Sequence, residues 1–166
     1  YNIIMLDIEE FEKKIDKKSR LLGIDPGKKR IGVSICDENK IIATPYTTII
    51  KNNFSELLTQ MNKIIKENDI KGIIIGNPIN LDGSNSQSSQ SAKDLAINLS
   101  KNVTIPITMW DERLSSRGAF NLSNDLNVNT SKKITKLDEN SAAFILQGAI
   151  DFLRREITWS HSTKGL

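Results

Sequence analysis

The succession of apolar patterns along this chain predicts an α/β domain built on a mixed five-stranded sheet with helices on both faces. Three observations carry the prediction. Early in the chain, three apolar β-type segments follow one another with only turn-like residues between them, as in an antiparallel meander. Beyond them, helical spacing alternates with short continuous apolar runs, the pattern of parallel strands joined through helices. Right-handed crossovers then return the later strands beside the first, which places the first strand near the centre of the sheet.

Taken in order, residues 1–18 carry Met5, Ile8, Phe11 and Ile15 at helical spacing among acids and lysines, which predicts an amphipathic helix packed on the main domain as an N-terminal extension. Arg20-Leu21-Leu22-Gly23-Ile24-Asp25 reads as a strand, Pro26-Gly27 as a tight turn, and Ile31-Gly32-Val33-Ser34 as a strand running back. The β-branched stretch Lys40–Ile49 follows the turn-like Asp37-Glu38-Asn39 and completes the meander, with Pro45 marking an edge or a bulge. Phe54, Leu57, Leu58, Met61, Ile64 and Ile65 then recur at three- and four-residue spacing, a helix over 53–68 with Asn53 or Ser55 as its cap. Gly72-Ile73-Ile74-Ile75-Gly76 is a buried strand, and the Ser-, Asn- and Gln-rich residues 77–91 read as a loop. A helix is expected near Ala92–Lys101, a strand over Val103–Trp110, and a helix near Ser116–Asn124. The last helix is expected from about Asp138 to Ile157, with Ala142, Ile145, Leu146, Ala149 and Leu153 on its apolar face. The expected organisation is an extension over 1–18, one domain over 19–157 and a disordered tail over 158–166.

The 166 residues suffice for one domain with a true core, and 26% charged with 38% apolar residues is ordinary globular composition. A net charge of +3 is compatible with a polyanionic partner without requiring one. Cys36 is the lone cysteine, which excludes an internal disulfide and a cysteine-based zinc site. His161 is the lone histidine and sits in the polar tail, so Ser-His-Asp or histidine–metal chemistry has little to work with. No apolar run approaches the ~18 residues that span a bilayer. Asp7, Glu9, Glu10 and Glu12 stand where a signal peptide would carry cations, so a cytoplasmic protein without a membrane partner is expected.

Acids recur at comparable places in this topology. Asp25 ends the first strand, Asp111 and Glu112 end the last, and Asp138 and Glu139 open the final helix. Open α/β sheets place their sites at the carboxyl ends of the strands. A helix-start acid also serves as a simple cap, and strand-end acids as solvated loop residues. Three converging carboxylates would repel one another unless a cation lay between them, and all-oxygen donors favour one or two Mg²⁺ or Mn²⁺ ions over zinc. Such ions, ~4 Å apart, activate water and stabilise a leaving oxygen of a phosphodiester. Lys28, Lys29, Arg30, Arg113, Arg117, Lys132, Lys133 and Lys136 flank the acidic positions and are candidates to hold nucleic-acid phosphates; solvated surface lysine is the alternative for some of them.

Four motifs in order resemble the YqgF/RuvX family of pre-16S rRNA nucleases, also described as Holliday-junction resolvase-like. They are Gly23-Ile24-Asp25-Pro26-Gly27-Lys28-Lys29-Arg30-Ile31-Gly32-Val33, then Gly76-Asn77-Pro78-Ile79-Asn80-Leu81-Asp82-Gly83, then Asp111-Glu112-Arg113-Leu114-Ser115-Ser116, and finally Lys136-Leu137-Asp138 with Ala142-Ala143 and Ile145-Leu146-Gln147. The resemblance implies a ribonuclease H-like fold and a divalent-metal nuclease acting on structured nucleic acid, with the 5′ end of pre-16S rRNA as the usual substrate. It implies Asp25, Glu112 and Asp138 as the catalytic, metal-binding carboxylates. Adjacent strand residues face opposite sides, so a regular strand would turn only one of Asp111 and Glu112 toward the metal. The resemblance also gives Gly27 a close backbone approach to metal or phosphate, and makes Gly76 and Asn80 shape the loop beside the site. Where resolvases of this fold often carry a second acid in the last helix, this chain has Ala142, which favours RNA processing. The implied partners are pre-rRNA or branched DNA and ribosomal precursor particles, with the chain a monomer or a homodimer. The alternatives are a junction resolvase and a catalytically silent nucleic-acid-binding module. An ATP-using enzyme would need a longer chain and a second phosphate loop.

Overall fold

The computed structural model describes residues 6–78, 87–112 and 140–154. Along the chain run α1 (Ile8–Lys14), β1 (Arg20–Pro26), β2 (Arg30–Cys36), β3 (Ala43–Ile50), α2 (Phe54–Glu67), β4 (Ile70–Asn77), α3 (Gln87–Ser100) and β5 (Ile107–Asp111). Residues 140–154 form a further helix, α4. The five strands lie in the order β3-β2-β1-β4-β5. Pairing is antiparallel for β1–β2 and β2–β3, and parallel for β1–β4 and β4–β5. This is the mixed α/β sheet that the sequence predicts, with β1 at its centre.

Strand alternation sorts the apolar residues into two cores. Leu22, Ile24, Ile73 and Ile75 pack with Leu57, Met61 and Ile64 of α2 and with Leu95, Ala96 and Leu99 of α3. On the other face Leu21, Ile74 and Trp110 pack with Phe11 of α1 and with Ile145, Leu146 and Ala149 of α4. Helices therefore cover both faces. Against this second face α4 comes in unusually close over Gly23, where a Cβ would stand 2.6 Å from Leu146 Cβ. Ser34 Oγ of β2 donates to the Ala142 carbonyl at 2.7 Å, and the Gln147 amide bonds Ile41 O at 2.9 Å and Ala43 N at 2.8 Å. These contacts fasten α4 to the antiparallel half of the sheet.

Several expected boundaries shift, each for a local reason. Among the described residues the first helix occupies Ile8–Lys14 of the expected 1–18, of which 1–5 lie outside the described residues: Asp7 caps it through a reciprocal bond with Glu10, and Ile15 is already extended at φ −110°, ψ 151°. Leu6 instead forms a parallel bridge to Thr108, whose hydroxyl donates to Leu6 O at 2.8 Å. α3 begins at Gln87 rather than near Ala92, because Ser89 is buried and its Oγ donates to Asn77 Oδ1 at 2.7 Å. β5 begins at Ile107 rather than Val103, since Asn102 and Val103 still donate to Leu99 O and close α3. Pro45 sits as expected, on edge strand β3 beside a register shift opposite Val33 and Ser34. The expected helix over 116–124 and the tail over 158–166 lie outside the described residues. Among the described residues no helix is long and apolar enough to cross a membrane.

Candidate active site

The site is assembled at the carboxyl edge of three neighbouring strands. Ile24 of β1 pairs with Ile75 of β4, so Asp25 and Gly76 come next on the opposite face. Gly76 in turn pairs with Trp110 of β5, and Trp110 belongs to the core under α4. Asp25, Gly76 and Trp110 thus share one face. Glu112, two residues past Trp110, falls over the same place: a Cβ on Gly76 would lie 3.0 Å from Glu112 Cγ and 3.1 Å from Glu112 Cδ.

Asp111 belongs to the other side. It pairs in register with Asn77, whose side chain accepts from Ser89 of α3. Alternation therefore resolves the pair as far as geometry goes, with Glu112 on the Asp25 face and Asp111 on the α3 face.

Electrostatics agree with that placement. The Glu112 carboxyl is pushed up from its ordinary 4.5 to about 8, first by burial, then by the negative charge of Asp25, and last by that of Asp111. All three effects oppose ionisation, and the second requires Asp25 to be close. Two carboxylates crowded in a half-buried place form an all-oxygen donor set whose members repel one another. A hard divalent cation fits such a set, because it offsets that repulsion and takes oxygen ligands. Among the described residues no group of three or more His, Cys, Asp or Glu side chains gathers at metal-binding spacing. Asp138, the expected third acid, lies outside the described residues.

Of the expected phosphate-binding cations, Lys28, Lys29 and Arg30 are exposed in and beside the turn that follows Asp25. Arg113, Arg117, Lys132, Lys133 and Lys136 lie outside the described residues, as does Asn80. Gly76 lies in β4, in the strand run that the sequence predicts, and its missing side chain makes room for Glu112 and for Ile145, whose Cδ1 would stand 2.6 Å from a Cβ there. Gly27 makes its close approach to the carbonyl of Arg30 across the turn, where a Cβ would collide. Ser34 and Gly23, which seat α4 against β1, escaped the sequence reading. Their only signal was a hydroxyl and a glycine inside strands that otherwise read as apolar.

Residues 19–152 match the sequence model of the family described as "RuvX: Holliday junction resolvase". A Pelagibacter ubique protein named "Putative pre-16S rRNA nuclease" is 57% identical over 149 residues, covering 90% of this chain and 99% of its own length. One of the same name from Novosphingobium aromaticivorans is 39% identical, covering 87% of this chain and 92% of its own. Among solved structures, Thermus thermophilus RuvC in complex with Holliday junction substrate aligns with a TM-score of 0.55 at 11% identity, covering 83% of this chain and 96% of that one. A second Thermus thermophilus RuvC structure gives 0.51 at 10% identity, over 82% and 96% of the two chains. At such identities the likeness is one of fold, and the fold is ribonuclease H-like.

Proposed function

This chain belongs to the RuvX family, and from that premise we propose that it is a divalent-metal-dependent nuclease that hydrolyses phosphodiesters in structured nucleic acid, processing the 5′ end of pre-16S rRNA. The observation that carries the reading is the Glu112 carboxyl, held beside Asp25 on one face of the sheet and pushed up to about 8 by burial and by that neighbour. A folded chain keeps two acids in mutual repulsion at a half-buried edge for a reason, and binding a hard cation is the reason their chemistry supports.

Mg²⁺ or Mn²⁺, when bound, supplies Lewis acidity and charge neutralisation at the scissile phosphate. Asp25 and Glu112 would hold it through carboxylate oxygens, with Asp138 as the proposed third ligand. Glu112 must lose its proton to serve, and a cation beside it favours that loss. Gly76 leaves the space in which the Glu112 carboxylate sits. Lys28, Lys29 and Arg30, exposed beside the turn after Asp25, would hold flanking phosphates and orient the strand. Arg113, Arg117, Lys132, Lys133 and Lys136 are proposed to extend that surface. The proposed compartment is the cytoplasm, where pre-rRNA is available.

The test is cleavage of an end-labelled pre-16S rRNA leader fragment and of a four-way DNA junction, each in EDTA, Mg²⁺ and Mn²⁺, by wild type and Asp25→Asn. We expect metal-dependent cutting of the RNA, reduced by orders of magnitude in the variant while its fold is retained. Cutting of the junction alone would replace this reading with a resolvase. Equal inertness of both proteins with RNA binding preserved would make the chain a binding module.

A further inference from the structure

We propose a backbone-binding subsite on the α3 side of the candidate active site, centred on Lys51, that holds the sugar-phosphate backbone of the substrate strand next to the bond being cut. It deepens the nuclease reading and rests on it. The sequence pattern does not single out Lys51, which follows the β3 stretch at a distance from every acidic motif.

Topology brings this lysine to the site. The β1–β2 turn lies at the carboxyl end of β1, one residue past Asp25, and β3 runs back to the same edge, ending with Ile50 opposite Arg30. The chain then continues the pairing for one more residue, as Lys51 N donates to Lys29 O at 2.9 Å. Lys51 is exposed there beside exposed Lys28 and Lys29.

A groove of about 270 Å³ opens at this point, lined by Pro26, Gly27, Lys28 and Lys51 on one side and by Gln87, Ser88 and Ser91 on the other. It starts one residue beyond Asp25. Among the described residues no carboxylate lines it, and the first turn of α3 carries no acid. Two ammonium groups opposite two hydroxyls and an amide are donors suited to phosphate oxygens, and they carry no base-reading geometry. The far wall is fixed in place, because buried Ser89 bonds Asn77 at the end of β4 and so ties the first turn of α3 to the edge that bears the acids.

The groove also has a limit. A second hollow, of about 330 Å³, continues from Lys51 and Ser91 but takes in Asp94 and Asn98. Asp94 would repel a phosphate, so the cationic path ends at Ser91. The subsite therefore spans the nearest backbone linkages only.

Binding of a fluorescent hairpin RNA with a 5′ single-stranded extension, and of the same sequence in DNA, tests this by anisotropy in EDTA across a salt series. Lys51→Ala is expected to raise Kd about five-fold at low salt and to lower the log–log salt slope by ~0.7–0.9, the change for one phosphate contact, on both probes. Lys66→Ala, at the far end of α2, should leave both quantities at wild-type values. In wild type, one neutral methylphosphonate linkage beside the cut should weaken binding as Lys51→Ala does, and should weaken the variant no further. A wild-type slope for Lys51→Ala in a protein that still binds and cleaves would overturn the subsite alone. Failure of the wild type to bind either probe at low salt would overturn the nuclease reading, and the subsite with it.

Discussion

Replacing Glu112 with glutamine should make this protein more stable at neutral pH, by an amount that grows as the pH rises. The folded chain holds the Glu112 proton up to about 8, whereas the unfolded chain releases it near the ordinary 4.5. A group with a raised folded value contributes stability fully present below the unfolded value, and that stability is lost as pH rises through the folded value. The loss therefore falls between pH 4.5 and about 8. At 1.36 kcal/mol per unit the whole interval is worth on the order of 5 kcal/mol, and the part below pH 7 about 3 kcal/mol. Glu112 keeps some surface in water, so the measured change will fall below those figures. Glutamine keeps the shape and cannot ionise. Urea unfolding in EDTA at pH 5, 6, 7 and 8 should show the two proteins within about 1 kcal/mol at pH 5, the variant gaining steadily above it. In melting temperature, 3 kcal/mol corresponds to about 6–12 °C for a chain of this size. Adding Mn²⁺ at pH 7.5 should reverse the order, because a cation stabilises the folded state that binds it and the neutral amide of Glu112→Gln offers no charge. Parallel pH profiles in EDTA would refute the idea that Glu112 is buried against Asp25, and with it the basis for the site.

Three other perturbations probe the frame. Gly76→Ala places a methyl 2.6 Å from Ile145 Cδ1 and 3.0 Å from Glu112 Cγ; Ile145 has a flexible end that yields, so the expected cost is about 1–3 kcal/mol in stability but ~100-fold in nuclease rate, and an unchanged rate would show that Glu112 does not act from that position. Ser34→Ala removes the 2.7 Å bond to the Ala142 carbonyl and leaves a buried acceptor, costing about 1–3 kcal/mol in urea unfolding with an unchanged m value. Cys36 is buried and its thiol is pushed up to about 11, mainly by that burial, so a disulfide reagent at pH 8 should modify it only after urea unfolds the chain; rapid labelling of the native protein would contradict its place in the core.

The sequence carried the sheet further than it carried the site's surroundings, and the residues show why. The meander and the Pro45 irregularity were legible because turn residues and alternation act over a few positions. The start of α3 was not, since residues 87–91 are polar and their helix depends on Ser89 reaching Asn77 in another strand. The opening helix was overextended for a similar reason: Ile15 keeps helical spacing with Phe11 but is used as an extended residue packed under the sheet. At the site, motif order picked out Asp25 and Glu112, and alternation alone left Asp111 open. Register settles their faces, through Ile24–Ile75 and Gly76–Trp110. The meaning of Gly76 was beyond reach, because it is set by Ile145 and Glu112, neither of them near in sequence. Lys51 was invisible for the same cause: only the return of β3 brings it beside Lys28.

This arrangement makes one element answerable for two halves of the molecule. Asp25 stands on β1, the strand where antiparallel pairing gives way to parallel, with Glu112 delivered from the parallel side and α4 fastened by Ser34 and Gln147 to the antiparallel side. A one-residue slip between β1 and β4 would turn Asp25 to the face of α2 and α3 and separate it from Glu112. The continuous apolar runs Leu21–Leu22 and Ile73–Ile75 resist such a slip only weakly, because an apolar side chain would replace another on either face. The glycines are what discriminate. Gly23 must lie under Leu146 and Gly76 under Glu112 and Ile145, and any shift that put a side chain in either place would collide with α4 or with the acid. The residues that lack side chains thus fix the register that brings the charged ones together.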